Sequence, residues 1–158
     1  MEKKAPLKRD PALRHLSHDH HHGLLLCWKI RQGFKLGIEP ARMKNYCEWF
    51  WTSYLNPHFE EEEKVIFPVL PEDDPLIKQA LTEHKRLRKL FSSWENPEKT
   101  LGQIEEELER HIRFEERILF PEVQKTATAE QLEAIAAHGE REKFKENEAD
   151  PFWIQLNV

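Results

Sequence analysis

Cysteine is scarce in this sequence, and a long hydrophobic run is missing. Only Cys27 and Cys47 occur among the 158 residues; they form no C-x-x-C pair and are too few for a disulfide framework. The longest apolar run extends from Leu24 to Trp28, which is far shorter than a membrane span or the hydrophobic region of a signal peptide. We therefore expect a cytoplasmic protein with no membrane partner.

An excess of basic charge is also missing. The chain has 24 Lys and Arg residues against 29 Asp and Glu residues, so its formal net charge is -5. This balance excludes the basic footprint of a nucleic-acid-binding protein. No H-E-x-x-H, Walker or G-x-G-x-x-G pattern occurs. No histidine has a glutamate three residues before it, which excludes the E-x-x-H pair of ferritin-like bundles.

Helix signals are frequent, and the length suits one domain over residues 1–158. Asp10-Pro11, Pro40 and Asp74-Pro75 are typical helix starts, and Gly33 with Gly37 indicates the end of the first helix. Asn56-Pro57 interrupts the second segment, which predicts either one bent helix or two abutting helices.

The fourth and fifth helices are predicted from capping boxes. Thr100 with Gln103 and Thr128 with Gln131 have the required spacing, and Asn96-Pro97 is interpreted as the loop before the fourth helix. The fifth helix is expected from about Ala129 to Glu146. The apolar tail Pro151 to Val158 is expected to pack on the other helices or to contact a partner.

One motif occurs twice. The segment His58 to Pro68 reads HFEEEEKVIFP, and His111 to Pro121 reads HIRFEERILFP. Each copy has a histidine and a glutamate four residues apart, which places both side chains on one helix face. The repetition indicates two helices of the same design.

Both pairs lie within apolar stripes at helical spacing. The stripes are Trp51, Leu55, His58, Glu62, Val65 and Val69 in the first copy, and Leu101, Ile104, Leu108, His111, Glu115 and Ile118 in the second. A buried carboxylate costs several kcal/mol unless it is compensated, and a multivalent cation can compensate it. The alternative is two solvent-facing pairs, but the duplication on apolar stripes favours metal ligation.

Two further segments each add an inward histidine by the same test. His84 belongs to the stripe Ile77, Leu81, His84, Leu87, Phe91 and Trp94. In the first segment His20 belongs to the stripe Leu13, Leu16, His20, Leu24, Cys27, Ile30 and Phe34, whereas the register of His21 collects charged residues. We interpret His15, His18, His22 and His138 as surface residues. The runs Glu60 to Glu63 and Glu105 to Glu107 are interpreted as mostly solvated, apart from Glu62.

This order of motifs resembles the hemerythrin-like (HHE) cation-binding family over roughly Asp10 to Glu122. The family pattern is one histidine on the first helix, H-x-x-x-E on the second, histidine on the third and H-x-x-x-E on the fourth. The resemblance implies an all-α, antiparallel up-down four-helix bundle with its core at about 10–122. The additional C-terminal helix and tail predicted above, at 128–158, follow this core. It also implies two non-haem irons bridged by two carboxylates, with an open position where oxygen can bind. The ligands carried over are His20, His58, Glu62, His84, His111 and Glu115.

One departure from the family is visible. Oxygen-carrying hemerythrins have a second histidine four residues from the third-helix one, and here those positions hold Ala80 and Arg88. This difference disfavours reversible oxygen carriage and favours sensing, redox chemistry or other metal handling. Whether His21, His18 or Glu61 completes the site stays open.

Three functions remain after these considerations. The ligand order favours a di-iron protein that binds or senses O2 or redox state. The alternatives are a di-iron oxidoreductase acting on peroxide or NO, and a metal-storage or structural zinc-binding bundle; nitrogen and oxygen donors together also suit zinc or manganese. The expected partner is a small molecule such as O2, NO or peroxide, and a homodimer is left open.

Overall fold

The computed structural model describes residues 8–139 and 144–154, and the described residues are helical with no strand, which confirms the all-α class. The α-helices are α1 (Arg14–Lys35), α2 (Pro40–Phe50), α3 (Asn56–Glu61), α4 (Pro75–Ser92), α5 (Pro97–Phe114), α6 (Phe120–Thr126) and α7 (Ala129–His138). Short 3-10 turns cover Pro11–Leu13 and Phe67–Val69. Three π-helical segments cover Trp51–Leu55, Glu62–Ile66 and Glu115–Leu119.

Acid-proline pairs open two of the helical segments, as predicted. The Asp10 carboxylate accepts a hydrogen bond from the Ala12 backbone N–H at 2.9 Å, and Asp74 accepts one from Leu76 at 2.8 Å. These side chains satisfy backbone donors that have no partner within the helix. The first helix also ends where the glycines indicated, since Gly37 takes a left-handed φ of 71° just after Lys35.

The predicted start of the fourth helix was wrong by one turn. The α5 helix begins at Pro97, and Asn96, at φ 44°, is its cap rather than part of a loop. Thr100 lies inside the helix, and its hydroxyl donates to the Glu95 carbonyl at 3.0 Å. A proline at the first helical position suits this start, because its missing N–H would have no partner there.

Each π segment ends two residues before a proline. The prolines are Pro57, Pro68 and Pro121. A proline lacks an N–H and its ring clashes with the carbonyl four residues earlier in a regular α-turn, and a wider turn avoids that conflict. The chain therefore stays helical through Asn56-Pro57, where the sequence predicted one bent helix or two abutting helices, and through Pro121.

The π segments also explain a shift in the predicted stripes. Val65 and Ile118 were expected to face inward. Val65 is half-buried against the second apolar cluster, Ile118 is 49% exposed, and the fully buried residues are their neighbours Ile66 and Leu119. A π turn closes one residue later than an α turn, since Phe67 N–H bonds to the Glu62 carbonyl and Phe120 N–H to that of Glu115. The inward face after each glutamate is thereby shifted by one residue.

The predicted stripes of α1 and α4 also end earlier than expected. Phe34 and Trp94 are exposed because they lie in the last turn of α1 and beyond the end of α4. Leu81 is exposed as well, and Ala80 takes the buried position on that turn of α4.

The long helices pack around α5, which contacts α1, α2 and α4. Contacts along α1 and α5 run in opposite directions: a Cβ on Gly23 would lie 2.7 Å from Ile112, and Arg31 is paired with Glu105. These contacts agree with antiparallel neighbours, and the up-down order of four helices stays a prediction. Two clusters of buried apolar side chains form the core, one containing Phe59 and the other Phe120.

The last described segment packs back on α1 and α2. Phe152 is buried in the larger apolar cluster, and the buried Lys29 ammonium donates to Glu146 at 2.5 Å. The predicted fifth helix was too long, because α7 ends at His138 and residues 144–148 are not helical. Part of that predicted helix, residues 140–143, and the end of the tail, residues 155–158, lie outside the described residues.

Within the described ranges, no helix has the length and apolar character needed to cross a membrane.

A close approach at Gly33 gives a stability prediction. A Cβ there would lie 2.1 Å from Met43 Sδ and 2.9 Å from Phe152, whereas a Cβ at Gly102 on α5 meets nothing within 4 Å. Gly33→Ala should therefore lower the free energy of unfolding by about 1–3 kcal/mol through overpacking. Gly102→Ala, the matched control, should raise it by up to about 1 kcal/mol through helix propensity. Urea denaturation measures both, and equal effects of the two substitutions would contradict the packing.

Candidate metal centre

The six residues predicted to bind metal are all buried in one region between the helices. His20 lies on α1, His58 on α3, His84 on α4 and His111 on α5, while Glu62 and Glu115 begin π segments. None of the six is more than 3% exposed. The four helical segments therefore bring together the four histidines and two glutamates that the stripe analysis placed inward.

The six side chains form two groups that share both glutamates. One group is His20, His58, Glu62 and Glu115, and the other is Glu62, His84, His111 and Glu115. In each group the candidate ligand atoms lie within 4.8 Å of one another. A shared pair of carboxylates between two pairs of imidazoles is the donor arrangement of a dinuclear site.

Each glutamate faces one histidine from each group. Glu62 Oε1 lies 3.2 Å from His58 Nε2 and 3.2 Å from His84 Nε2. Glu115 Oε1 lies 2.9 Å from His20 Nε2 and 3.4 Å from His111 Nε2. Both carboxylates are therefore placed to bridge the two groups.

Several polar atoms of this cluster lack a hydrogen bond within the described part of the chain. They are both carboxylate oxygens of Glu62, Oε2 of Glu115, Nε2 of His84 and His111, and Nδ1 of His20. An unsatisfied buried polar group costs about 1–3 kcal/mol, and more if it is charged. Cations between the two groups would satisfy carboxylate oxygens and imidazole nitrogens together, so these residues fit a metal site.

An outer set of carboxylates lies next to the other ring nitrogen of each histidine, and three of the four contacts are hydrogen bonds. Nδ1 of His58 lies 2.9 Å from Asp19, Nδ1 of His84 lies 2.7 Å from Glu63, Nδ1 of His111 lies 2.7 Å from Glu83, and Nδ1 of His20 lies 3.2 Å from Glu116. A carboxylate on Nδ1 fixes the orientation of the imidazole and makes Nε2 a better metal ligand. All four histidines therefore present Nε2 to the centre.

The outer carboxylates form a closed ring around the bundle. Each is adjacent in sequence to a candidate ligand on its own segment, and each faces the histidine of another segment. Asp19 on α1 binds His58, Glu63 after α3 binds His84, and Glu83 on α4 binds His111. Glu116 after α5 completes the ring through an ion pair with His20. A residue next to an inward one lies about 100° around the helix, toward a neighbouring helix.

Sequence reasoning missed these four acids. Glu63 belongs to a run that was interpreted as mostly solvated, and Glu61 in the same run is also buried and lies 2.5 Å from His15. The sequence did contain a signal for these acids, because every predicted ligand segment has an acidic residue directly next to a predicted ligand. Arg88 and Arg9 balance part of this charge, at 2.6 Å from Glu63 and 3.0 Å from Glu116.

The residues considered as additional ligands do not join either group. His18 and His21 are exposed on α1, and Glu61 is engaged with His15. Ala80 has no ligand atom, and Arg88 is directed to the outer carboxylate of Glu63. Each of the two groups therefore offers two imidazoles and the two shared carboxylates.

The protonation of the metal-free centre reflects its burial. Burial and the adjacent Glu115 carboxylate raise the pKa of Glu62 to about 8. Burial by itself would lower the pKa of His111, but the Glu115 and Glu83 carboxylates outweigh burial and raise it to about 10. Burial would raise the pKa of Glu115, yet His111 and His20 hold it well below its usual range. In the metal-free protein, protons on Glu62 and His111 thus balance the charge that bound cations would otherwise balance.

The apo protein should lose stability as the pH rises from about 6.5 to about 8. The unfolded chain releases the protons of Glu62 near 4.5 and of His111 near 6.5, whereas the folded protein holds them to about 8 and about 10. Stability falls wherever the native state binds more protons than the unfolded state. Denaturant unfolding of chelator-treated protein measures this slope, and apo stability that rises across this range would contradict it.

Comparisons with known proteins agree with this geometry. Neither a curated protein nor a solved structure gives a significant match to the chain. The model of one protein family, the hemerythrin HHE cation binding domain, matches residues 12–123. This range contains all six residues of the buried cluster and most of the chain. The protein belongs to the hemerythrin HHE cation-binding domain family.

Proposed function

We propose that the buried cluster binds two iron ions and that the protein uses this centre to bind or sense O2 or the redox state. The ligands would be His20 and His58 on one ion and His84 and His111 on the other, with Glu62 and Glu115 shared. The observation that carries the proposal is the position of each carboxylate between one histidine of each group. Imidazole and carboxylate donors together suit iron, and iron supplies reversible one-electron and dioxygen chemistry.

The number of protein donors supports binding of an external small molecule. Two imidazoles and two shared carboxylates give each ion four protein ligands, whereas octahedral metals take six. The third helix carries no second imidazole, because Ala80 and Arg88 stand at the positions where one would occur. This set favours sensing or redox chemistry over oxygen transport.

A surface pocket of about 160 Å³ borders the centre at His111 and Glu83 and is also lined by Arg86 and Arg110. On the inside, the Phe59 ring stacks on His84 with ring centroids 3.7 Å apart, and the Phe120 ring stacks on His20 at 5.2 Å. These apolar walls suit a small uncharged ligand such as O2, NO or hydrogen peroxide.

The chain's own residues would control the ligand's surroundings. The outer carboxylates contact Nδ1 of every histidine, so the imidazoles stay oriented whether or not a ligand is present. The aromatic rings exclude water, which strengthens electrostatic interactions inside the site. Whether such a centre senses a molecule or converts it depends on how fast electrons reach it. An oxidoreductase acting on peroxide or NO is the alternative function.

The outer carboxylates give a prediction on metal affinity. Glu83→Gln should weaken metal binding by about 10–100-fold, because the amide no longer supports the Nδ1–H of His111 as a carboxylate does. Glu107→Gln is the matched control: Glu107 lines the same pocket but binds Arg86 at 2.9 Å rather than a histidine. Competition with a chromophoric chelator measures the affinities. Equal affinities of the two variants would contradict the role of the outer ring.

The proposed function is tested by loading the protein with Fe(II) without air and then admitting air. We expect two irons per chain and, after air, the absorption of an oxo-bridged di-iron centre. Glu62→Ala and Glu115→Ala should each lose the metal while circular dichroism shows that the helices are retained. Glu60→Ala is the control, because Glu60 is an exposed neighbour outside both groups.

Other results would point to the alternatives. Catalytic consumption of peroxide or NO by the loaded protein would replace sensing by an oxidoreductase function. Protein that takes up zinc in preference to iron and gives no response to air would indicate a storage or structural role, since four ligands satisfy zinc.

A further inference from the structure

Two histidines on the surface of α1 approach each other outside the buried cluster. His18 and His22 are four residues apart, and their Nε2 atoms are 3.3 Å from each other. Neither belongs to the two groups of the buried centre. Residues four apart on a helix lie one above the other on the same face, so the two imidazoles share a single direction toward solvent.

The separation of these two nitrogens matches one edge of a metal coordination sphere. With metal–nitrogen distances of about 2.0–2.1 Å in a tetrahedral site, two imidazole nitrogens lie about 3.3–3.4 Å apart. The distance between the Nε2 atoms of His18 and His22 has this value. A hydrogen bond between two neutral imidazoles would also explain the contact, and only a binding experiment separates the two explanations.

The His22 ring is held in place by a group that is not a metal ligand. It stacks on Phe144 with ring centroids 3.9 Å apart and an angle of 18° between the planes. The His18 ring meets the His22 ring edge-on, with ring centroids 4.8 Å apart and an angle of 86° between the planes. A ligand that is already oriented loses less entropy on binding, so this pair is better prepared for a metal than two freely rotating surface histidines.

The pair also lies close to the buried centre. His22, Phe144, Asp19 and His58 line one small cavity of about 10 Å³, and Asp19 binds Nδ1 of His58 at 2.9 Å. An ion bound to His18 and His22 would therefore lie just outside the side chains that separate solvent from the group His20, His58, Glu62 and Glu115.

We propose that His18 and His22 form a second binding site, on the protein surface, for one divalent transition-metal ion. Imidazole nitrogen suits Cu2+, Zn2+ and Ni2+, and these ions are the chemical class that the site would take. Two protein nitrogens leave the remaining positions to water, so the site should exchange its ion more readily than the buried centre. The proposal does not depend on which metal occupies that centre.

The test uses the full-length protein with its buried centre filled with zinc, which is silent in electron paramagnetic resonance, and with weakly bound surface zinc removed by gel filtration. Addition of Cu2+ should then give one bound copper per chain, with a spectrum that shows two equatorial imidazole nitrogens. His18→Ala and His22→Ala should each weaken this binding by at least about tenfold, since even the loss of an outer partner of a ligand costs that much. Zinc analysis after the titration verifies that the buried centre stayed filled.

Two control variants make the result specific. His21→Ala removes the neighbouring histidine, whose ring centroid is 6.4 Å from that of His18, and His138→Ala removes an exposed histidine on α7. Both should keep the two-nitrogen spectrum and the affinity. The proposal is overturned if copper does not bind the zinc-filled protein, if His18→Ala and His22→Ala bind it unchanged, or if His21→Ala loses the site to the same extent.

Discussion

The structure depends on one electrostatic constraint, which is that two glutamates and four histidines are buried together in an apolar interior. Without compensation the carboxylates of Glu62 and Glu115 would repel each other and lose their hydration. In the metal-free protein, protons held by Glu62 and His111 provide this compensation, as their raised pKa values show. Cations would do so more completely, because they satisfy the buried oxygen and nitrogen atoms that have no hydrogen bond.

The surrounding helices serve this constraint in two ways. Phe59 and Phe120 cover the imidazoles from the two apolar clusters and keep the cluster dry. The ring of outer carboxylates links each helical segment to a histidine of another, so that no ligand is oriented by its own helix alone. The π segments add a further element, because Glu62 and Glu115 each begin one and each is followed six residues later by a proline. The repeated motif thus specifies the ligand pair and the widened turn that follows it.

The six inward residues could be predicted from the sequence because each lies on an apolar stripe. The stripe also distinguished His20 from His21. Prediction failed at Ile118, where a π turn changes the spacing, because that turn depends on the proline that follows. It failed for the outer carboxylates because Glu63, taken alone, looks like any acid in a solvated run. The path of the chain after α7 was also beyond the sequence, since Phe152 and Glu146 are placed by long-range contacts.

The most direct test is a crystal structure of the iron-loaded protein with anomalous differences collected on both sides of the iron absorption edge. We expect two iron peaks per chain in the buried cluster, with Glu62 and Glu115 bound to both ions and the four histidines bound through Nε2. A single peak, or peaks that the two glutamates do not share, would contradict a dinuclear centre in this protein.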